Sequence, residues 1–226
     1  GPDRPQTYNF FMSHAHWDHI MGFPFFMPAY IPGNIIRIHG SHPLSVLQEG
    51  FHRQHSSPCF PVPWERLGAD IRFIHLDPGR WYEINGLRIK SQLQPHPGYS
   101  CGYRFEKDGK TFVYSTDGEY KLDSDAETSA MVEFYHGADL VIFDAMYSLK
   151  EAIHDKSDWG HSSNVIGVDI CLRAAVRHLC MFHHEPAHND DAIHAILKET
   201  RRYAEIAGEG RKLTVSSAYD GLTLDL

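Results

Sequence analysis

The feature that most constrains this chain is Ser13-His14-Ala15-His16-Trp17-Asp18-His19, which follows directly on the apolar run Asn9-Phe10-Phe11-Met12. Within six residues it sets three imidazoles and a carboxylate, the nitrogen and oxygen donors that divalent zinc takes. In a loop that closes a strand, His14 and His16 can turn toward one ion, and Asp18 and His19 toward a second. The plain alternative is a polar loop that happens to be rich in histidine. A closed site needs donors from elsewhere, and the chain offers them where strand-like runs end. His96 sits in Pro95-His96-Pro97-Gly98, Asp117 in Tyr114-Ser115-Thr116-Asp117-Gly118, and His183 and His184 follow Phe182. Singly, each reads as a cap or turn residue; together they form one constellation.

The rest of the chain reads as short strands alternating with helices. Asn9–Met12, Ile35–Ile38, Ile71–Ile74, Leu87–Lys90, Leu140–Phe143, Leu179–Phe182, Leu213–Val215 and Leu222–Leu224 are strand-like. Tyr103–Phe105 and Thr111–Tyr114 flank an Asp108-Gly109 turn and predict a hairpin, and Asn85-Gly86 is a second turn signal. Pro43–His52, with Leu44, Leu47 and Phe51 on one face, is helix-compatible, as are Ala126–Tyr135, Asn164–Ala175 and Asp191–Ile206. The Ser56–Trp64 stretch carries three prolines and is expected to be a loop. Strands first and helix–strand pairs later imply mixed α/β layers.

Size and composition narrow the function. With 226 residues, one domain over residues 3–226 is expected, with Gly1-Pro2 reading as the scar of a protease cleavage. The net charge of -8 argues against a broad nucleic-acid surface, which needs Lys and Arg against phosphates. A small phosphorylated ligand held by metal stays open. No apolar run approaches the roughly 20 residues that span a bilayer, so no membrane partner is expected and the chain reads as soluble and cytoplasmic. Cys59, Cys101, Cys171 and Cys180 show no C-x-x-C spacing and read as reduced, buried thiols. Histidine stands out, with 17 residues and no tag-like run.

Six motifs in this order, SHAHWDHIMGFPFF, PHPGYSCGYRF, VYSTDGEY, ADLVIFDAMYS, WGHSS and CMFHHEPAHND, resemble the metallo-β-lactamase superfamily. Within it the chain is most similar to the phosphodiesterase branch, near the tRNA 3′-processing endonucleases and the cyclic-nucleotide phosphodiesterases. The resemblance implies a four-layered αβ/βα sandwich. It implies that His14, His16 and His96 hold one metal, that Asp18, His19 and His183 hold the other, and that Asp117 bridges. Zinc is the expected pair of ions, with manganese and iron as alternatives. His183 is preferred to His184 because it stands directly after the apolar strand. His161 in Trp159-Gly160-His161-Ser162-Ser163 corresponds to a family histidine near the substrate phosphate; it also reads as a helix-entry residue capped by Ser162 or Ser163. Asp144 reads either as a carboxylate that orients an imidazole or as a plain strand-end aspartate.

Two departures qualify the resemblance. The family normally places its first strands and a glycine-rich turn before the metal loop, whereas 12 residues precede Ser13 here. The first sheet is therefore expected to be incomplete or completed by a partner chain. The tRNA-processing enzymes carry a histidine directly before the position of Asp144, and here that residue is Phe143. The expected activity is hydrolysis of a small phosphodiester, foremost a 3′,5′-cyclic nucleotide, with Asp18, Asp117 and His161 as the catalytic side chains. An RNA or tRNA endonuclease, a thioester or lactone hydrolase and a non-catalytic metal-binding sensor are the alternatives, and a homodimer is the expected assembly. Trp17, Phe23, Phe25, Phe26 and Tyr30 would either stack a base or belong to the core.

Overall fold

The computed structural model describes residues 5–121, 125–154, 156 and 159–226; the Gly1-Pro2 reading lies outside them. The chain divides into two compact units, Gly1–Arg80 and Trp81–Leu226.

The first unit contains β1 (Thr7–Met12), α1 (Trp17–Ile20), β2 (Ile35–Gly40), α2 (Leu44–Gln54) and β3 (Asp70–His75). Its three strands are parallel in the order β1-β2-β3, with Phe10 opposite Ile38 and Ile38 opposite Phe73. Parallel neighbours need crossover connections, supplied here by the 3-10 turns Phe23–Phe25 and Met27–Tyr30 and by α2. Alternation along the strands sends Tyr8, Phe10, Met12, Ile36, Ile38, Ile71 and Phe73 to one core. Phe51, from the predicted face of α2, sits in that core 1% exposed, and truncating it to alanine would cost about 3–5 kcal/mol. Phe23, Phe26 and Tyr30 belong to the same cluster, with Phe23 and Phe51 ring centroids 4.9 Å apart. The core reading therefore holds for those three, while Trp17 and Phe25 stay exposed.

The second unit contains β4 (Trp81–Ile84), β5 (Leu87–Gln94), β6 (Ser100–Lys107), β7 (Lys110–Ser115), α3 (Asp125–Tyr135), β8 (Leu140–Asp144), α4 (Leu149–His154), α5 (Asn164–Arg173), β9 (His178–Phe182), α6 (Asp190–Ala207) and β10 (Thr214–Ser217). One sheet runs β10-β9-β8-β7-β6-β5-β4. From β4 to β7 the strands are antiparallel, joined by tight turns at Asn85-Gly86 and Asp108-Gly109 with all four residues at positive φ. That is the backbone that two-residue hairpin turns require. From β7 to β10 they are parallel. On one sheet face Val113, Val141, Phe143, Leu179, Met181 and Val215 pack in a cluster with Met131, Phe134 and Tyr135 of α3 and Val168, Ile170 and Leu172 of α5.

This topology positions the site. Two reversals separate β5 from β7, so β5, β7, β8 and β9 all run the same way and end at one edge of the sheet. The residues just past those ends are the ones that carry chemistry.

The mixed α/β class with two sheets agrees with the expected fold class. Several local expectations need correction. Trp17–Ile20 forms a helical turn inside the histidine motif, with His16 at its N-cap, because the chain must reverse after β1. Residues 222–224 form no strand; Leu222 and Leu224 instead line an apolar cavity of about 400 Å³ with Phe112, Ile142 and Phe182. β4 and α4 were not foreseen, being too short for a periodic signal. Cys101, Cys171 and Cys180 are buried thiols, but Cys59 is exposed. Among the described residues no helix is long and apolar enough to cross a membrane.

Candidate metal centre

In the first unit the donors cluster around one buried ring. His14 is 2% exposed, and its Nδ1 lies 3.1 Å from the Ser13 hydroxyl. The rings of His16 and His19 each have centroids 4.4 Å from that of His14. Turning into α1 lets His19 fold back beside His14 and leaves Asp18 exposed, with its carboxylate 3.2 Å from His19 Nε2.

In the second unit His96, Asp117, Asp144, His161 and His183 converge at the strand-end edge. Ligand atoms of His96, Asp117 and His161 lie within 4.8 Å of one another, as do those of Asp144, His161 and His183. Asp117 occupies the middle. Its Oδ2 lies 3.9 Å from His96 Nε2 and its Oδ1 3.5 Å from His183 Nε2. Both separations exceed a hydrogen bond, and each carboxylate oxygen faces a different imidazole. Asp117 and His183 both adopt left-handed backbone, with φ of 52° and 59°, at a cost of order 1–3 kcal/mol each. Strain of this kind persists where neighbours hold the residue in place.

His96 is set by Gly160. Its Nδ1 donates to the Gly160 carbonyl at 2.8 Å, which leaves Nε2 as the nitrogen with a lone pair toward Asp117. Gly160 N–H in turn donates to Glu119 at 2.8 Å. Gly160 has φ of 89°, and a Cβ there would fall 2.5 Å from His96 Nδ1 and Pro97 Cδ. Only glycine fits.

His161 is set by Asp144. Nδ1 donates to Asp144 Oδ2 at 2.8 Å, and the His161 ring stacks on His183 with centroids 4.9 Å apart and planes 18° apart. Asp144 is fully buried and also accepts from the backbone of Gly118 and Met146. Burial raises its pKa, and the hydrogen bond from His161 opposes that rise. Of the two readings of Asp144, the geometry matches the carboxylate that orients an imidazole. Ser163 caps α5, accepting from Ile166 N, and Ser162 bridges Gly118 O and Tyr120 N. The two serines thus hold backbone. His184 turns away, with Nε2 against Ser217 Oγ and Ala218 O, so His183 is the one of the pair in the cluster. Glu119 and Gly160 were missed from sequence; the glycine beside His161 was the available signal.

The donor set of His96, His183 and the Asp117 carboxylate that faces both fits divalent metal, as the borderline N/O ligands of zinc and its neighbours.

Comparison with known proteins agrees. The family described as Beta-lactamase superfamily domain matches residues 9–184. Ribonuclease Z of Thermoplasma acidophilum is 21% identical over 252 residues, covering 91% of this chain and 77% of its own length. Among solved structures, the metallo-beta-lactamase fold protein YhfI from Bacillus subtilis superposes with a TM-score of 0.68 at 19% identity, covering 95% of this chain and 75% of that one. Yeast PDE1 gives 0.71 at 19% identity, covering 95% and 67%. The family match over most of its length, together with a fold and donor set of the expected kind, places this chain in the metallo-β-lactamase superfamily as a metal-dependent hydrolase.

Proposed function

We propose that this chain is a phosphodiesterase of small substrates, with 3′,5′-cyclic nucleotides foremost, acting with two divalent cations, zinc first among them. The observation that carries the reading is Asp117, whose two oxygens face His183 and His96 separately, as a carboxylate shared by two ions must. In this reading His96, Asp117 and His183 of the second unit would be metal ligands, and His14, His16, Asp18 and His19 would be the ligands that the first unit contributes. When bound, such ions lower the pKa of a water and neutralise phosphate charge.

The chain's own residues supply the remainder. Asp144 holds the His161 proton at Nδ1 and stabilises the imidazolium, so the opposite nitrogen can deliver a proton to the leaving alkoxide. The stacked His183 ring limits how far His161 can tilt.

RNA processing is the second reading, favoured by the similarity to Ribonuclease Z. Against it stand the net charge of -8 and Phe143, a buried core residue at the position where those enzymes carry a histidine.

The test is chromatographic detection of products from zinc- and manganese-loaded protein. Substrates are 3′,5′- and 2′,3′-cyclic nucleotides, a chromogenic phosphodiester and a precursor tRNA, with His16→Ala as blank. Turnover of 3′,5′-cyclic substrates supports the proposal. Cleavage of the precursor tRNA alone would replace it with the second reading.

A further inference from the structure

Beneath Asp117 lies a chain of buried polar side chains to which metal binding assigns no role. It starts at Tyr135, whose hydroxyl donates to Ser115 Oγ at 2.5 Å, and Ser115 donates to Gln94 Oε1. The Gln94 amide nitrogen donates to Thr116 O at 2.6 Å and to Ser100 Oγ at 2.8 Å. Ser100 Oγ donates to Asp117 O at 2.5 Å, and Thr116 Oγ1 donates to Asp117 Oδ1 at 2.5 Å. Every member is at most 2% exposed.

Gln94 is the hub. It is the last residue of β5, yet it reaches the end of β7 although β6 lies between them in the sheet. That reach is possible because β6 carries Gly102, where a Cβ would fall 2.6 Å from Gln94 Oε1. Both amide protons and the amide oxygen are used, so each polar atom of the group has a partner. An apolar core would be simpler here; a polar network persists in such a place when it fixes one geometry. The geometry it contacts is the left-handed Asp117, gripped at its backbone carbonyl and at one carboxylate oxygen.

We infer that Gln94 is a positioning residue that, through Ser100 and Thr116, holds Asp117 in its left-handed conformation with the carboxylate set between His96 and His183. The inference rests on the proposed function in taking Asp117 as a metal ligand. Gln94 touches neither ion nor substrate, and its effect passes entirely through Asp117.

The experiment compares zinc affinity, by competition with a chromogenic chelator, in wild type, Gln94→Met, Thr116→Val and Gly102→Ala, beside the thermal midpoint of each metal-free protein. Gln94→Met keeps the volume and loses every hydrogen bond. Thr116→Val removes only the hydroxyl on Asp117 and serves if Gln94→Met does not fold. Gly102→Ala leaves Gln94 in the sequence and displaces its amide. All folded variants are expected to bind zinc about 10–100-fold more weakly, with kcat falling and KM unchanged. A merely structural role would lower the metal-free midpoint and leave zinc affinity at the wild-type value. That result in Gln94→Met, or in Thr116→Val where Gln94→Met does not fold, overturns the inference. Wild type that binds no zinc would instead remove the proposed function, and the inference with it.

Discussion

His161 Nδ1 donates to Asp144 Oδ2 across 2.8 Å, and the accepting carboxylate is fully buried. The pair fixes which nitrogen of His161 carries its proton and gives an imidazolium a countercharge. Asp144→Asn keeps the shape and removes the charge. We expect its kcat on the best substrate to fall by about 10²-fold or more, with metal content unchanged by elemental analysis. Loss of metal from this variant would make Asp144 a support of the ligand set and remove its role in proton transfer.

Gly160 offers a test of His96. A methyl group at Gly160 collides with His96 Nδ1 and Pro97 and must be accommodated at a φ of 89°. Gly160→Ala should therefore weaken metal binding by about 10-fold or more, read by chelator competition. Unchanged affinity would show that His96 is not a ligand.

Acid stability should depend on His39. Its ring is 2% exposed, its Nε2 pairs with Asn9 Oδ1 at 3.0 Å, and it stacks on Phe11. Among the described residues Nδ1 has no acceptor to receive a second proton. Burial, and then the nearby charge of Arg37, pull its pKa from 6.5 down to about 4. The unfolded chain takes up the proton first, so this contribution is intact above pH 6.5 and is lost as the pH falls toward 4. Between pH 7.5 and 5 the loss should be about 2 kcal/mol. Denaturant midpoints of His39→Gln, which keeps a donor for Asn9, should fall less over that interval; equal slopes would clear His39.

Gln54 should be replaceable with profit. It lies on the core face of α2, seven positions beyond Leu47, 6% exposed. Neither its amide nitrogen nor its oxygen has a hydrogen-bond partner among the described residues. A buried unsatisfied group costs about 1–3 kcal/mol, so Gln54→Met should raise the thermal midpoint. A lower midpoint would mean that water satisfies the amide in solution.

Much of this site is legible in sequence because its residues follow apolar runs. A strand's end is where the backbone leaves the sheet, and polar residues there stand out against Phe182 or Met12. His183 could be preferred to His184 on that ground, and the structure turns His184 onto Ser217. What escapes are partners fixed by register. His96 meets Gly160 across 64 positions, and Gln94 meets Thr116 only because Gly102 lets it through. No periodicity reports such contacts. Leu222–Leu224 failed for the opposite reason: alternation marks apolar side chains that need cover, and here they find it without pairing backbone. Phe23, Phe26 and Tyr30 are aromatic in either reading, and only their burial decides.

The shared edge of β5, β7, β8 and β9 also has a meaning in time. Parallel partners cannot close as local hairpins, so β8 and β9 pair with β7 across intervening helical connections, at longer range in the chain than the strands of β4 to β7. His183 then arrives last in chain order, behind the strand that carries it. A growing chain can complete its antiparallel half, with His96 and Asp117 in place, and still lack the imidazole on the far side of Asp117. With His183 as a ligand, the proposed metal site is complete only once β9 stands in the sheet, and capture of metal would act as a late lock on folding.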